Sequence, residues 1–426
     1  MSRGAKYPSS LVPRPWFLAF CLLLLVSCSR PPANCLLPGT VRPTVKIGLV
    51  APFEGRYRYI GYDVFYAVRL AMHEVNEMGG VGARSPCPYS VELVAYDDGA
   101  DVVMAVEQAH KLAVDPQVVA AIGHFCEETT GAASSAYAEA GIPLVAPAVL
   151  DPALTEGDGA VFRPGPDADA LAAVLLDRIT QLLPPDVPSG GFGMTLISDG
   201  GPLGQALQDA ARERGVRLAP VVSPDGDNWL EEVLASGADV VICDASPVTA
   251  GEVIVALRDA GWEGDFLGGP ELAAPDFVTV AGEAAEGVTF VSPTPNPSIP
   301  PDQSVSPNPS IPPNPSISPD QSVSPNPSIL PIRVLTAYQE VSGGVLPGPL
   351  ALSAYEATWV LLEALERDIA VHGVPTREGV TAALPATERY GLLGHITFDT
   401  GRNWGNAPLY WYRIGAEGVA QRIGDR

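Results

Sequence analysis

The chain has 426 residues, of which 46% are hydrophobic and 17% are charged, enough apolar material for two ordinary cores. Its 49 acidic and 25 basic side chains give a formal net charge of −24 at pH 7. Because such a surface repels phosphate groups, the composition argues against nucleic acid as a partner.

The N-terminus has the pattern of an export signal. Basic residues precede the apolar run WFLAFCLLLLVSC, which at about a dozen residues is too short to span a membrane. The run ends in Leu-Val-Ser-Cys at 25–28, which resembles the bacterial lipobox, where the cysteine is lipidated. We therefore predict a lipoprotein signal peptide over 1–27, lipidation at Cys28 and a tether over 28–43. The alternative is an ordinary signal peptide with a chance cysteine.

Strands and helices alternate from residue 44 onwards. A first group of apolar strands is predicted at 44–53, 90–98, 118–125 and 142–149. A second group is predicted at 193–199, 217–223, 238–245, 265–271 and 287–292, and the chain closes with strands at 394–400 and 409–423. Helical patterns lie between most of these strands. The rhythm predicts an α/β fold with two similar doubly wound halves, each built on a parallel sheet.

A proline-rich repeat interrupts this pattern. It consists of six-residue units such as PNPSIP and PDQSVS, and it runs from Pro295 to Leu330. Proline lacks an amide donor and fixes φ, so neither helix nor sheet can run through such a repeat. We predict a disordered insertion over 293–331 that the fold does not need. A docking peptide of the PxxP type is the alternative.

A set of longer segments occurs along the chain in this order: VKIGLVAPF, AVRLAMHEVNEMGGV, VELVAYDD, AAIGHFC, YAEAGIPLVAPA, VFRPGPD, FLGGPELAAPDFV, LSAYEATWVLLEALE and LLGHITFD. In that order they resemble the type I solute-binding proteins, in particular the branched-chain amino-acid (Leu/Ile/Val) binding group of ABC transporters. The resemblance implies two α/β lobes joined by three crossovers, with a small solute trapped between them. Lobe 1 is expected at 44–165 plus 292–396, and lobe 2 at 166–291 plus 397–426.

The resemblance also suggests where the solute is held. Parallel sheets bind ligands beyond the carboxyl ends of their strands, where helix N-termini offer amides. After AAIGHFC, relatives carry a serine that helps hold the solute carboxylate, and here that position is Glu127. Glu128 and Thr129 follow, and the hydroxyls of Thr129 and Thr130 are candidate donors. Alternatively, the two glutamates are only helix N-terminal acids.

The remaining candidates depart from the family pattern at most positions. Ala148 keeps a backbone carbonyl for an ammonium group, but Leu150 lacks the hydroxyl that relatives have. The other positions carried over by resemblance are Leu203, Ala245, Pro270 and Glu271. From these departures we expect a small polar solute, and poor binding of leucine, isoleucine and valine.

The loop after the first strand reads FEGRYRYIG and places Arg56, Tyr57 and Tyr59 near the expected cleft. Guanidinium and aromatic faces there suit a polar or zwitterionic solute. Alternatively, alternate side chains of this loop point to solvent.

Export permits a disulfide, because the compartment is oxidising. Cys35 and Cys87 precede the first two predicted strands, which are expected to be sheet neighbours, so we predict that they pair. Cys126 and Cys243 are expected at the opposite, ligand-facing edge and in separate lobes. Neither a CxxC pair nor zinc-like histidine spacing occurs, and no metal or cofactor is predicted.

The resemblance and the leader together imply a lipid-anchored extracytoplasmic receptor that delivers solute to ABC permease and ATPase subunits at the bacterial membrane. The alternative is a sensing or docking lipoprotein with the same fold and no transport role. An enzyme is disfavoured, because no GxSxG, HExxH or P-loop motif is present.

Overall fold

A computed structural model describes residues 41–157, 159–182, 193–295 and 330–425. The predicted signal peptide, Cys28, Cys35 and most of the proline-rich repeat lie outside these residues. No helix within the described ranges is long and apolar enough to cross a membrane.

The first lobe is built on a parallel five-stranded sheet with the order β2-β1-β3-β4-β5. Its strands are β1 (Thr44–Ala51), β2 (Ser90–Asp97), β3 (Val118–Gly123), β4 (Leu144–Val145) and β5 (Val161–Phe162). Every residue of β3 is buried, as expected for a central strand covered on both faces. A two-stranded antiparallel ribbon, β10 (Glu388–Gly391) and β11 (Gly394–Thr397), packs beside this lobe.

The second lobe is built on a six-stranded sheet with the order β13-β12-β9-β8-β7-β6. Its strands are β6 (Met194–Ser198), β7 (Val240–Asp244), β8 (Asp265–Gly268), β9 (Thr289–Ser292), β12 (Tyr410–Ile414) and β13 (Ala420–Asp425). The first four of these strands are parallel, and β12 and β13 extend the sheet as an antiparallel hairpin.

Helices cover both faces of each sheet. They are α1 (Arg58–Glu77), α2 (Val102–Val114), α3 (Glu127–Ala140), α4 (Ala168–Leu182), α5 (Pro202–Glu213), α6 (Trp229–Ser236), α7 (Pro247–Asp259), α8 (Pro275–Ala281), α9 (Leu330–Ser342), α10 (Ala351–His372) and α11 (Arg377–Ala383). The core of the first lobe joins α1 to α9, α10 and α11 on one face. In the second lobe, α4 and α5 share one core and α6, α7 and α8 share another. The predicted architecture of two doubly wound α/β lobes is confirmed.

Two predicted strands are wrong in extent. Residues 217–223 form only isolated bridges, Met194 to Leu218 and Ile197 to Val222, so no continuous strand exists there. The segment 142–149 contains only the two-residue β4, because prolines at both of its ends remove ladder donors.

The chain crosses between the lobes after β5, after β9 and after β11. Arg163, in the first crossover, donates its backbone N–H to the Arg402 carbonyl at 3.0 Å, and its own carbonyl accepts from the Trp404 N–H at 3.0 Å. The first and third crossovers are therefore hydrogen-bonded to each other. At the second, the Thr294 carbonyl accepts from the Tyr412 hydroxyl at 2.8 Å, which fixes the chain just before the repeat.

Candidate functional site

A cleft of about 660 Å³ lies between the lobes. Besides Asp225, Pro349 and Leu350, its lining residues lie in the segments at or after the ends of β1, β2, β3 and β4 in the first lobe and of β6, β7 and β8 in the second. These segments all leave the carboxyl ends of parallel strands, which is the edge where open α/β sheets hold ligands. Both sheets therefore present this edge to the same cavity.

A buried hydrogen-bonded group supports the first-lobe wall from behind. His124 Nδ1 lies 2.6 Å from Asp98 Oδ2, and its Nε2 lies 3.2 Å from the Tyr137 hydroxyl. The His124 carbonyl accepts from the Thr130 hydroxyl at 3.1 Å. This group fixes the turn between β3 and α3, from which Phe125 lines the cleft.

Glu127 stands at the first position of α3 and lines the cleft. Its Oε1 accepts a hydrogen bond from the backbone N–H of Leu150 at 2.8 Å. Burial raises the pKa of Glu127, and the Leu150 N–H partly opposes that shift because it stabilises the carboxylate. Glu127 therefore ties the α3 terminus to the loop after β4 as well as facing the solute space.

The second-lobe wall carries Asp244, the last residue of β7. Its Oδ2 accepts from the Ser198 hydroxyl at 3.0 Å and from the Gly204 backbone N–H at 2.8 Å. Burial raises the pKa of Asp244, the two hydrogen bonds lower it, and the charge of Asp199 raises it. A Cβ at position 204 would collide with both Ser198 and Asp244, so this approach requires glycine.

Glu271 lies on the same wall, in the short 3-10 helix that follows β8. Burial raises its pKa to about 7, and the negative charges of Asp244, Glu127 and Asp199 contribute in the same direction. Because Glu127 belongs to the other lobe, carboxylates of both lobes act on one another across the cleft.

Most predicted site residues line this cleft. Tyr57, Tyr59, Glu127, Glu128, Ala148, Leu150, Ala245, Pro270 and Glu271 all contribute to its walls. Burial raises the pKa of Tyr59 well above its ordinary value, and the negative charge of Glu271 on the other lobe contributes in the same direction. The side chain of Arg56 lies outside the described part of the structure.

Two predicted site residues are placed elsewhere. The Thr129 side chain is buried, and its hydroxyl donates to the Cys126 carbonyl at 3.1 Å within the first turn of α3. Leu203 is fully buried in the core shared by α4 and α5, because the first turn of α5 directs it toward the sheet. Neither residue is among those that line the cleft.

Arg163 is a positioning residue that the sequence interpretation missed. Its side chain is fully buried and donates to the carbonyls of Val149, Leu150 and Pro166 at 3.0, 3.2 and 3.0 Å. It also donates to Asn403 Oδ1 at 2.6 Å. Burial lowers its pKa. The guanidinium thereby holds the 147–150 wall of the cleft against two crossovers.

The cysteines of the described residues differ in their oxidation state. Cys87 is part of a disulfide, whereas Cys126 and Cys243 are thiols. The pairing of Cys87 with Cys35 stays a prediction because Cys35 lies outside the described residues, and non-reducing peptide mapping can test it. Across the described ranges, no group of His, Cys, Asp or Glu side chains has a metal-binding arrangement.

Comparison with known proteins identifies the family. A family model described as "Periplasmic binding protein" matches residues 44–419. An "Amino acid binding protein" of Pseudomonas aeruginosa is 27% identical over 248 residues, which are 56% of this chain and 63% of that protein. A "Leu/Ile/Val/Thr-binding protein" of Salmonella typhimurium is 25% identical over 61% of this chain and 71% of that protein. The chain thus covers just under two thirds of the length of the Pseudomonas relative.

Solved structures show the same fold. The branched-chain amino acid transporter substrate binding protein LivJ from Streptococcus pneumoniae, in complex with isoleucine, superposes with a TM-score of 0.71 at 18% identity. That match covers 90% of this chain and all of LivJ. A solute binding protein of an ABC transporter from R. palustris, in complex with benzoate, gives a TM-score of 0.69 at 18% identity, over 90% of this chain and 96% of that one. Because the family model matches residues 44–419, this chain belongs to the type I periplasmic binding proteins, a family of extracytoplasmic solute receptors rather than enzymes.

Proposed function

We propose that this chain is the solute-binding subunit of an ABC importer, anchored outside the cytoplasm by lipid at Cys28. The observation that carries the proposal is the cleft, into which the carboxyl ends of strands from both lobes open. The matched relatives, which include an ABC transporter substrate-binding protein from Desulfitobacterium hafniense complexed with leucine, support it.

In this proposal the two lobes close on the solute by bending at the crossovers. Solute contacts come from both walls, since Tyr59 and Glu127 lie on one and Asp244 and Glu271 on the other. The closed form is stabilised only when a solute satisfies both walls at once. A permease that recognises the closed form then receives loaded receptor in preference to empty receptor.

The solute is a small polar molecule, and leucine, isoleucine and valine are poor ligands. Two relatives are named for binding these amino acids. In this chain, however, the Glu127 carboxylate already accepts the hydrogen bond from the Leu150 N–H. The carboxylate of an amino-acid ligand placed at this position would therefore face the negatively charged Glu127 side chain. Leaving a buried charge badly paired costs about 1–3 kcal/mol or more, so affinity falls by roughly tenfold or more.

The test has two readouts. Mass spectrometry of small molecules released on denaturing the purified protein should find one polar solute in near-stoichiometric amount. Adding that solute back to refolded protein should reduce the radius of gyration measured by X-ray scattering, as expected for closure of the lobes. Absence of a released solute, together with unchanged scattering across a solute library, contradicts a binding function.

A further inference from the structure

We infer that the cleft selects a small organic cation that carries no carboxylate group, such as an amine or a guanidinium compound. This inference rests on the proposed function and narrows its solute class.

The first support is the charge of the cleft lining. Seven carboxylic acids contribute to it, from both lobes: Asp101, Glu127, Glu128, Asp199, Asp225, Asp244 and Glu271. Among lining residues within the described ranges, none is Lys, Arg or His. Even a guanidinium at position 56 would leave the carboxylates in excess. The potential in the cleft is therefore negative, which concentrates cations and repels anions.

The second support is that protein carboxylates already accept hydrogen bonds from donors at and behind the cleft walls. Leu150 lines the cleft and gives its N–H to Glu127. Behind the second-lobe wall, the buried Gly204 N–H and Ser198 hydroxyl donate to Asp244. These are the kinds of donor that a bound carboxylate would need. Because protein carboxylates already occupy them, these donors are not open to an anionic group of the solute.

The third support is that negatively charged side chains of the two lobes face each other across the cleft. Glu127 lies on the first lobe, and Asp244 and Glu271 lie on the second. Like charges facing each other oppose closure of the empty cleft. A cation between them is attracted to both walls at once, so its binding and lobe closure favour each other.

Aromatic side chains decide between an organic cation and a metal ion. Tyr57, Tyr59 and Phe125 line the cleft beside the acids, and aromatic faces attract ammonium and guanidinium groups. The acids do not converge, since no set of three metal-ligating side chains occurs in the described parts of the chain. Spread carboxylates with aromatic neighbours suit an extended organic cation.

Matched pairs of probes test the inference. Cadaverine and lysine differ by one carboxylate, as do agmatine and arginine. Isothermal titration of the purified mature protein, freed of its solute by denaturation and refolding, should show each amine binding at least about tenfold more tightly than its amino acid. Leucine, glutamate and benzoate should bind more weakly than the amines.

Two variants separate a direct contact from a general effect of charge. Glu271→Gln should weaken cadaverine binding by about tenfold or more, as for loss of a charge-assisted contact. Glu283→Gln removes one charge from an exposed position of the same lobe outside the cleft, and should leave binding within about twofold because exposed charges are screened. Circular dichroism and the unfolding midpoint report whether each variant is folded.

The outcomes separate the inference from the proposed function. Tighter binding of leucine, glutamate or benzoate, equal binding within each matched pair, or release of a carboxylate-containing solute from purified protein overturns the cation class and leaves a solute receptor standing. Release of an amine outside the panel supports the inference. If no probe binds and no solute is released, both the inference and the proposed function fail.

Discussion

Cadaverine binding should strengthen as the pH rises through 7, because Glu271 changes charge there. Burial and the charges of Asp244, Glu127 and Asp199 raise its pKa to about 7. Below this value the carboxyl group is protonated and neutral, and above it the carboxylate attracts the ammonium group. Between pH 6 and pH 8 the ionised fraction rises from about one tenth to about nine tenths, so affinity should rise by about tenfold.

The protonation of Glu271 also determines how many protons are released when cadaverine binds and how the free energy of unfolding changes with pH. At pH 7 cadaverine binding should release about half a proton, because a bound cation favours ionised Glu271. The pKa is higher in the folded protein, about 7, than the ordinary value of 4.5. The native state therefore binds more protons than the unfolded state between these values, and this group makes stability fall as the pH rises from 4.5 to 7.

Calorimetry in phosphate buffer at pH 6, 7 and 8 measures the dissociation constants. Repeating the titration at pH 7 in ACES buffer, which has a larger ionisation enthalpy than phosphate, measures the proton release. Glu271→Gln should bind more weakly and lose most of the pH dependence, whereas Glu283→Gln should keep it. Equal dissociation constants for the wild type at pH 6 and pH 8, or an unchanged pH step in Glu271→Gln, would refute the reasoning.

Replacing 296–329 by a short Gly-Ser linker should change solute affinity by less than about tenfold, because loop-closure entropy depends weakly on length; a larger loss by calorimetry would mean that the repeat contacts solute or hinge. Cys28→Ser should abolish fatty-acid labelling and membrane association, and continued labelling would contradict the lipoprotein prediction. Arg163→Met should lower the free energy of unfolding in urea by about 3 kcal/mol or more, because it leaves buried carbonyls without donors. The exposed control Arg212→Met should lie within about 0.5 kcal/mol of the wild type.

The sequence predicts the central strands well, because their burial is visible as continuous apolar runs. The run VVAAIG corresponds to β3, all of it buried, and VVICD corresponds to β7. The strands β4 and β5 have two residues each, and such short pairings leave no periodicity to read. The expected strand at 217–223 fails because only isolated bridges join it to β6.

The site is predicted in outline, since most of the positions carried over by resemblance line the cleft. Asp244 was missed by one residue, because the resemblance pointed to Ala245. The carboxyl end of a buried strand is itself a signal that would have found it. Arg163 was missed for a different reason. Its partners are carbonyls of loops and the distant Asn403, and such contacts have no local sequence pattern.

The hydrogen bonds that join Arg163 to Arg402 and Trp404 have a mechanical consequence. They couple two of the three crossovers, so a motion that separates these two segments would have to break both bonds. In the proposed receptor, a change at Asn403, which bonds the Arg163 side chain, would therefore act on the hinge without replacing a residue that lines the cleft.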